Sequence, residues 1–187
     1  MTDIPSPEER FHHVVIDMTQ LVYDLVNEAD QRGHKIIKPN LVSMCGAFLN
    51  GYDKTKLIQT FIDYSHMNWD QVCDNNEEFF IKNAGSIFKD LPMNGANNVE
   101  PFKLLFTMVD DKNKPVIGVD DRKLLWEYFE AMVRICIKYI HANRKPLIKI
   151  LESGEKRLAY SMKFFPYVQL EHHSKKWDVQ LEFTSRA

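Results

Sequence analysis

One strongly apolar helix constrains the fold of this chain more than any other feature. Between Leu124 and Lys145 the sequence reads "LLWEYFEAMVRICIKYIHANRK", and apolar side chains go almost all round a helix drawn through it. Such a helix is stable in water only when other elements cover it on several sides. We therefore predict a central helix, from about residue 120 to residue 144, in the middle of a helical bundle.

The chain that precedes the central helix also has helical periodicity. Ser6, Pro7 and Glu9 form an S-x-x-E capping box with proline at the first helical position, and the helix that it starts should end near Gly33. Further helices are predicted from the spacing of apolar residues over Leu41–Leu49, Lys56–Met67 and Val99–Val109. The expected helical body extends from residue 7 to residue 150.

Near the C-terminal end the apolar period changes from that of a helix to that of a strand. Apolar residues alternate with other residues from Leu158 to Phe164 and again from Trp177 to Phe183. We predict a strand in each stretch, with "EHHSKK" as a turn between them. Because a lone hairpin is marginally stable in water, its apolar face must cover the helices or another chain. We predict an α+β fold in one domain, 1–187: a mainly helical bundle with a small antiparallel β-hairpin or sheet within residues 156–185.

Charge divides the chain into two parts. Up to Val133 there are 13 Lys and Arg against 21 Asp and Glu, a net charge of −8, whereas from Arg134 onward there are 11 against 5, a net charge of +6. This polarity favours an acidic or nucleic-acid partner at the C-terminal end, or pairing between the two parts inside one fold. Both interpretations stay open at this point.

A file of basic residues runs along the central helix and continues beyond it. Such point charges suit phosphate contacts, and aromatic residues nearby could stack on bases. The alternative is a solvated helix edge whose charges pair with acids of the N-terminal part. The candidate residues for binding nucleic acid or an acidic partner are Arg134, Lys138, His141, Arg144, Lys145, Lys149, Lys156 and Arg157.

No catalytic or cofactor motif is present in the sequence. His12 with His13, and His172 with His173, are adjacent pairs, so on a helix or strand the two rings of each pair point in different directions. Neither a G-x-S-x-G turn nor a glycine-rich phosphate-binding loop occurs. We expect no catalytic residue, no metal and no cofactor, although an enzyme without recognisable motifs stays an open alternative.

The composition predicts an intracellular protein that does not enter a membrane. The 3 cysteines lie far apart with no CxxC pair, which is typical of reduced thiols. No uncharged apolar run approaches the ~20 residues that cross a bilayer, and the first ten residues do not resemble a secretory signal. We expect the cytosol or the nucleus.

Three stretches carry a resemblance to other proteins: "NWDQV", "EEFFIKNAGSIFKDLP" and "LLWEYFEAMVRICIKYIHANRKP". Over roughly Phe61 to Pro146, their spacing resembles that of small uncharacterised proteins of large nucleocytoplasmic DNA viruses. The resemblance implies the cytoplasm or nucleus of an infected cell, or a virion, as the location. It transfers no active-site residue.

The sequence as a whole favours a non-enzymatic protein that acts through protein contacts. A homodimer and a component of a viral assembly are both consistent with this interpretation. The alternative is a nucleic-acid-binding accessory factor that uses the basic C-terminal third.

Overall fold

The computed structural model describes residues 4–88, 99–153 and 169–181, and side chains throughout these ranges except for 88 and 144–153. The expected loop at 91–98 lies outside them. A single 3-10 turn, His66–Asn68, joins α3 to α4. The helices are α1 (Pro7–Gln31), α2 (Pro39–Asn50), α3 (Lys54–Ser65), α4 (Trp69–Cys73), α5 (Glu77–Phe88), α6 (Val99–Thr107), α7 (Val119–Ser153) and α8 (Leu170–Lys176).

Helix α1 begins at the predicted capping box. The Glu9 N–H donates to Ser6 Oγ at 3.2 Å, and the Ser6 N–H donates to Glu9 Oε2 at 3.0 Å. Two backbone donors that would lack a partner at the helix start are thereby satisfied. At the other end Gly33 has a φ of +87°, a left-handed conformation that glycine adopts without strain. The predicted start and end of α1 are both confirmed.

Helix α7 passes through both apolar clusters of the described structure. Its first turns supply Leu125 and Trp126 to a cluster with α1, α2 and α6, and its middle supplies Val133, Cys136 and Ile137 to a cluster with α1, α3, α4 and α8. Those last three side chains have no exposed surface. The prediction of a central apolar helix in this stretch is therefore confirmed.

The predicted α+β fold class is wrong, because the described residues contain no strand or sheet. An isolated antiparallel bridge between Val109 and Pro115 is the one β pairing within the described ranges. The expected turn "EHHSKK" lies in helix α8, and the expected second strand begins as an irregular segment, Trp177–Leu181. The expected first strand, 158–164, falls outside the described residues.

A tight turn after α8 explains why the second strand was predicted. Asp178 has a φ of +49°, a left-handed conformation that Asp tolerates and a strand does not contain. The turn places Trp177 and Val179 inside the core on either side of an exposed Asp178. Alternating burial therefore arises here without strand pairing, and the period of 2 was misleading.

None of the described helices is both long enough and apolar enough to cross a bilayer.

Replacing Ile137 by alanine should test the central position of α7. The Ile137 side chain has no exposed surface, so its removal leaves a cavity and should lower the free energy of unfolding by about 2–5 kcal/mol. Lys138→Ala, at the exposed neighbouring position, should change it by less than about 0.5 kcal/mol. Equilibrium urea unfolding followed by far-UV circular dichroism measures both. Equal effects of the two substitutions would contradict the burial of this face.

Candidate functional site

The predicted basic file is only partly described by the structure. Arg134 and Lys138 are exposed on α7, and His141 is half-buried one turn further on. Helix α7 also contains Arg144, Lys145 and Lys149, but the structure describes only the backbone of these three residues. Lys156 and Arg157 lie outside it altogether. The structure therefore locates the side chains of the first three candidates.

Arg134 holds the C-terminal segment against α7. Its Nη1 donates to the backbone carbonyl of Trp177, and its guanidinium carbon lies 5.5 Å from the centroid of the Trp177 indole. Stacking of this kind combines a cation–π attraction with burial of the arginine stem. Arg134 is thus a structural contact as well as a surface charge.

Arg134 and Lys138 share a groove with two residues of α1. The groove has a volume of about 400 Å³, and Arg10 and His13 line its opposite side. The remaining lining residues are Val14, Ala131 and Ile135, so no carboxylate lies among the described side chains that form it. We call these four residues, Arg10, His13, Arg134 and Lys138, the basic groove.

Sequence reasoning missed the α1 half of the basic groove. Arg10 and His13 are one helical turn apart, a spacing that places them on the same face of α1. The sequence does not say that this face lies beside α7, because the pairing of two helices that are distant in sequence is decided by tertiary packing.

Helix α2 leaves most of its apolar surface uncovered. Leu41, Met44 and Phe48 are exposed by 45%, 65% and 48%, and Cys45 is exposed beside them. Their spacing of i, i+3, i+4 and i+7 forms one continuous row along the helix. We call Leu41, Met44, Cys45 and Phe48 the α2 stripe.

A different face of α2 packs against α1. Val42 is the buried residue of α2, and a Cβ added at Gly46 would lie 3.3 Å from Cγ2 of Thr19 on α1. Gly46 therefore lets the two helices approach closely. The sequence predicts an apolar helix here but does not indicate which of its faces stays uncovered, so the α2 stripe was also missed.

A third group of polar side chains lies between α4 and α8. His172 Nε2 donates to the carboxylate of Asp70, at 2.8 Å from Oδ2 and 3.1 Å from Oδ1. His173 Nδ1 lies 3.5 Å from Asp70 Oδ1 on the other side. The ligand atoms of all three residues lie within 4.8 Å of one another, so the group is able to hold a metal ion. We call it the Asp-His-His cluster.

Burial and charge act in opposite directions within the Asp-His-His cluster. Burial raises the pKa of Asp70, but the hydrogen bond from His172 and the positive charges of His172 and Lys176 outweigh it and lower that pKa overall. Burial lowers the pKa of His173, although the nearby Asp70 carboxylate acts in the opposite direction. At neutral pH the cluster therefore combines an ionised carboxylate with a neutral buried imidazole.

Sequence spacing could not have found the Asp-His-His cluster. Asp70 and His172 are separated by 102 positions, and no local motif connects them. The one signal in the sequence is the repeated i, i+4 spacing of Asp70 with Asp74 and of His172 with Lys176, which would match two short helices that pack side by side.

Comparison with known proteins does not assign this chain to a family. No family model, no curated protein and no solved structure matches it. The resemblance to viral proteins therefore stays a prediction, and function has to be argued from the three surfaces described above.

The order in which the cysteines react with iodoacetamide should follow their burial. Cys45 is exposed, Cys73 is partly buried and Cys136 is fully buried, and burial raises the pKa of the Cys73 and Cys136 thiols. In dilute solution we expect rapid alkylation of Cys45, slower reaction of Cys73, and reaction of Cys136 only after unfolding. Mass spectrometry of timed digests measures this, and Cys45→Ser should remove the fast phase alone. Rapid alkylation of Cys136 in the native protein would contradict the core described here.

Proposed function

We propose that this chain is a non-enzymatic interaction protein that pairs with a second copy of itself through the α2 stripe. The observation that carries the proposal is the continuous row of exposed apolar side chains at Leu41, Met44, Cys45 and Phe48. Single exposed apolar residues are common on proteins, but a contiguous row of them is typical of a surface that another element covers. An apolar helical face is also a recurring way to dock a helix.

The chemistry of α2 favours a second copy as the partner. The helix "PNLVSMCGAFLN" has no charged residue, so two copies can be placed face to face without like-charge repulsion. A twofold axis brings the same surface of each copy into contact, as most homodimers require. Antiparallel pairing would also bring the exposed Lys38 before α2 of one copy toward the exposed Asp53 after α2 of the other.

The residue types of the α2 stripe support the same proposal. Phe48 packs against Tyr52, with 5.3 Å between ring centroids, and so presents a wide aromatic surface. Met44 is flexible and polarisable, and it adapts to an opposing surface more readily than a branched side chain does. If the viral resemblance is correct, this pairing would belong to an assembly in an infected cell or a virion.

Introducing a charge into the α2 stripe should abolish self-association. In Met44→Glu the contact would bury an unpaired carboxylate on each copy, so the dimer should dissociate to monomers at concentrations where the wild type pairs. Sedimentation velocity over a range of protein concentrations, with EDTA present, measures the change. As a second readout, alkylation of Cys45 in the wild type should slow as the protein concentration rises.

Ser43→Glu is the matched control, because Ser43 is exposed on the same helix but lies outside the stripe. This variant adds the same charge and should still dimerise. A wild type that stays monomeric at all concentrations would overturn the proposal, as would equal loss of pairing in both variants.

The basic groove supports a second candidate function, which is binding of nucleic acid. Arg10, His13, Arg134 and Lys138 bring basic side chains from α1 and α7 to one groove without a carboxylate among its described lining residues. Positive charge that is not neutralised nearby attracts phosphate, and its effect weakens as salt screens it.

Reversing charge in the basic groove should weaken binding to a labelled single-stranded oligonucleotide. The double variant Arg10→Glu/Lys138→Glu should reduce affinity at least about tenfold at low salt, and wild-type binding should fall steeply as salt is added. Fluorescence anisotropy measures both effects. Lys103→Glu/Lys123→Glu is the charge-matched control at positions outside the groove and should retain most of the affinity. Equal affinities of the two double variants would exclude the groove as the binding surface.

A further inference from the structure

We propose that Asp70, His172 and His173 form a binding site for a divalent transition-metal ion, with Zn²⁺ as the ion that suits them best. The site lies between α4 and α8 and is separate from the α2 stripe and the basic groove. It would make these two short helices into a single metal-linked unit.

The ligand atoms are already close to the spacing that such an ion needs. Zinc binds His nitrogen at about 2.0–2.1 Å and carboxylate oxygen at about 2.0–2.2 Å in tetrahedral geometry, so its ligand atoms lie roughly 3.3 Å apart. Asp70 Oδ2 is 2.8 Å from His172 Nε2, and Asp70 Oδ1 is 3.5 Å from His173 Nδ1. All three groups lie within 4.8 Å of one another, so small side-chain rotations would complete the site.

His173 supplies a second and independent indication of a ligand. The residue is only 6% exposed, and its Nδ1 is a buried atom without a hydrogen-bond partner among the described residues. A buried polar atom that lacks a partner destabilises the fold, so native structures rarely leave one unsatisfied. A metal ion beside Asp70 would accept the lone pair of this nitrogen.

The ring of His173 is also held in the orientation that the site requires. It packs edge-on against the buried indole of Trp69, with 5.1 Å between ring centroids. Because Trp69 directly precedes Asp70 in α4, the same short helix fixes the position of one ligand and supplies a second. A pre-organised ligand loses less conformational freedom when the ion binds.

The adjacency of His172 and His173 does not prevent them from sharing an ion. Neighbouring residues on a helix point in directions about 100° apart, which is the usual reason to exclude such a pair. Here Asp70 approaches α8 between these two directions, and the ring centroids are 5.2 Å apart. One imidazole is directed inward and the other outward, and both have a ring nitrogen near the same carboxylate.

The donor set favours zinc over calcium or magnesium. Two imidazole nitrogens and one carboxylate are the ligands of borderline transition metals, whereas Ca²⁺ and Mg²⁺ prefer six or more oxygen ligands. The side chains of Asp70 and His172 are 39% and 48% exposed, which leaves access for a water molecule at the fourth position. Lys176, the nearby cation, is paired with Asp74 at 2.9 Å, so its positive charge is partly neutralised.

Titration of the metal-free protein with Zn²⁺ and Co²⁺ tests the proposal. After dialysis against EDTA and removal of the chelator, each chain should bind one Zn²⁺ by isothermal titration calorimetry, and the melting temperature should rise with Zn²⁺ concentration. Co²⁺ should give the intense visible absorption of a tetrahedral or five-coordinate site with nitrogen ligands. Weak absorption typical of hexa-aquo Co²⁺, together with an unchanged melting temperature in Zn²⁺, would overturn the proposal.

Asp70→Asn and His172→Ala identify the ligands, because both side chains are partly exposed and these variants should keep the fold. Each should weaken Zn²⁺ binding at least about tenfold. His34→Ala is the control, since His34 lies outside the Asp-His-His cluster and outside the basic groove, and it should leave Zn²⁺ binding unchanged. Equal Zn²⁺ affinities for the wild type, Asp70→Asn and His172→Ala would place the ion elsewhere on the chain. Should either variant fail to fold, the Co²⁺ spectrum of the wild type decides the question.

Discussion

The burial of α7 is the constraint on which the rest of the described structure depends. Its side chains are apolar on nearly every side, so the helix is stable only when α1, α3, α4 and α8 enclose its middle and α1, α2 and α6 enclose its start. Arg134 and Lys138 are exposed charged residues within this length, and Arg134 lies against Trp177 instead of extending freely into solvent. The candidate surfaces are therefore arranged around α7: the basic groove along one side, the α4–α8 contact along another, and α2 beyond α1.

The helices could be predicted from sequence where a local signal and the apolar period agreed. The capping box at Ser6 fixed the start of α1, and the apolar residues around Val133 fixed the identity of α7. After Leu170 the prediction was wrong, because apolar residues there have a period of 2 although the backbone does not form a strand. Burial of Trp177 and Val179 on either side of Asp178 reproduces the alternation of a strand, but a left-handed turn causes it. The period of apolar residues indicates which side chains are buried, but it does not indicate the backbone conformation that places them in the core.

The candidate surfaces were less predictable than the helices because each depends on contacts between distant segments. Lys138 could be recognised as part of a basic file from its spacing on α7, but Arg10 joins it only because α1 packs alongside. The exposure of Met44 follows from which face of α2 meets α1, and that face contains the buried Val42 and the close approach of Gly46 to Thr19. The spacing of residues within one helix does not predict which of its faces is covered, because that depends on how two helices pack together.

The division of charge along the chain can now be separated into two contributions. Asp70 on α4 and Asp74, the residue directly after α4, meet His172 and Lys176 on α8. Part of the acidic first segment is therefore paired with part of the basic last segment inside the fold. This is the internal pairing that the sequence left open, and the described residues show it at α8. The basic groove differs, because no carboxylate lies among its described lining residues. Attraction of an anionic partner is therefore expected at the groove, whereas the α4–α8 contact already contains its own counter-charges. The metal ion proposed there would be held by Asp70, His172 and His173.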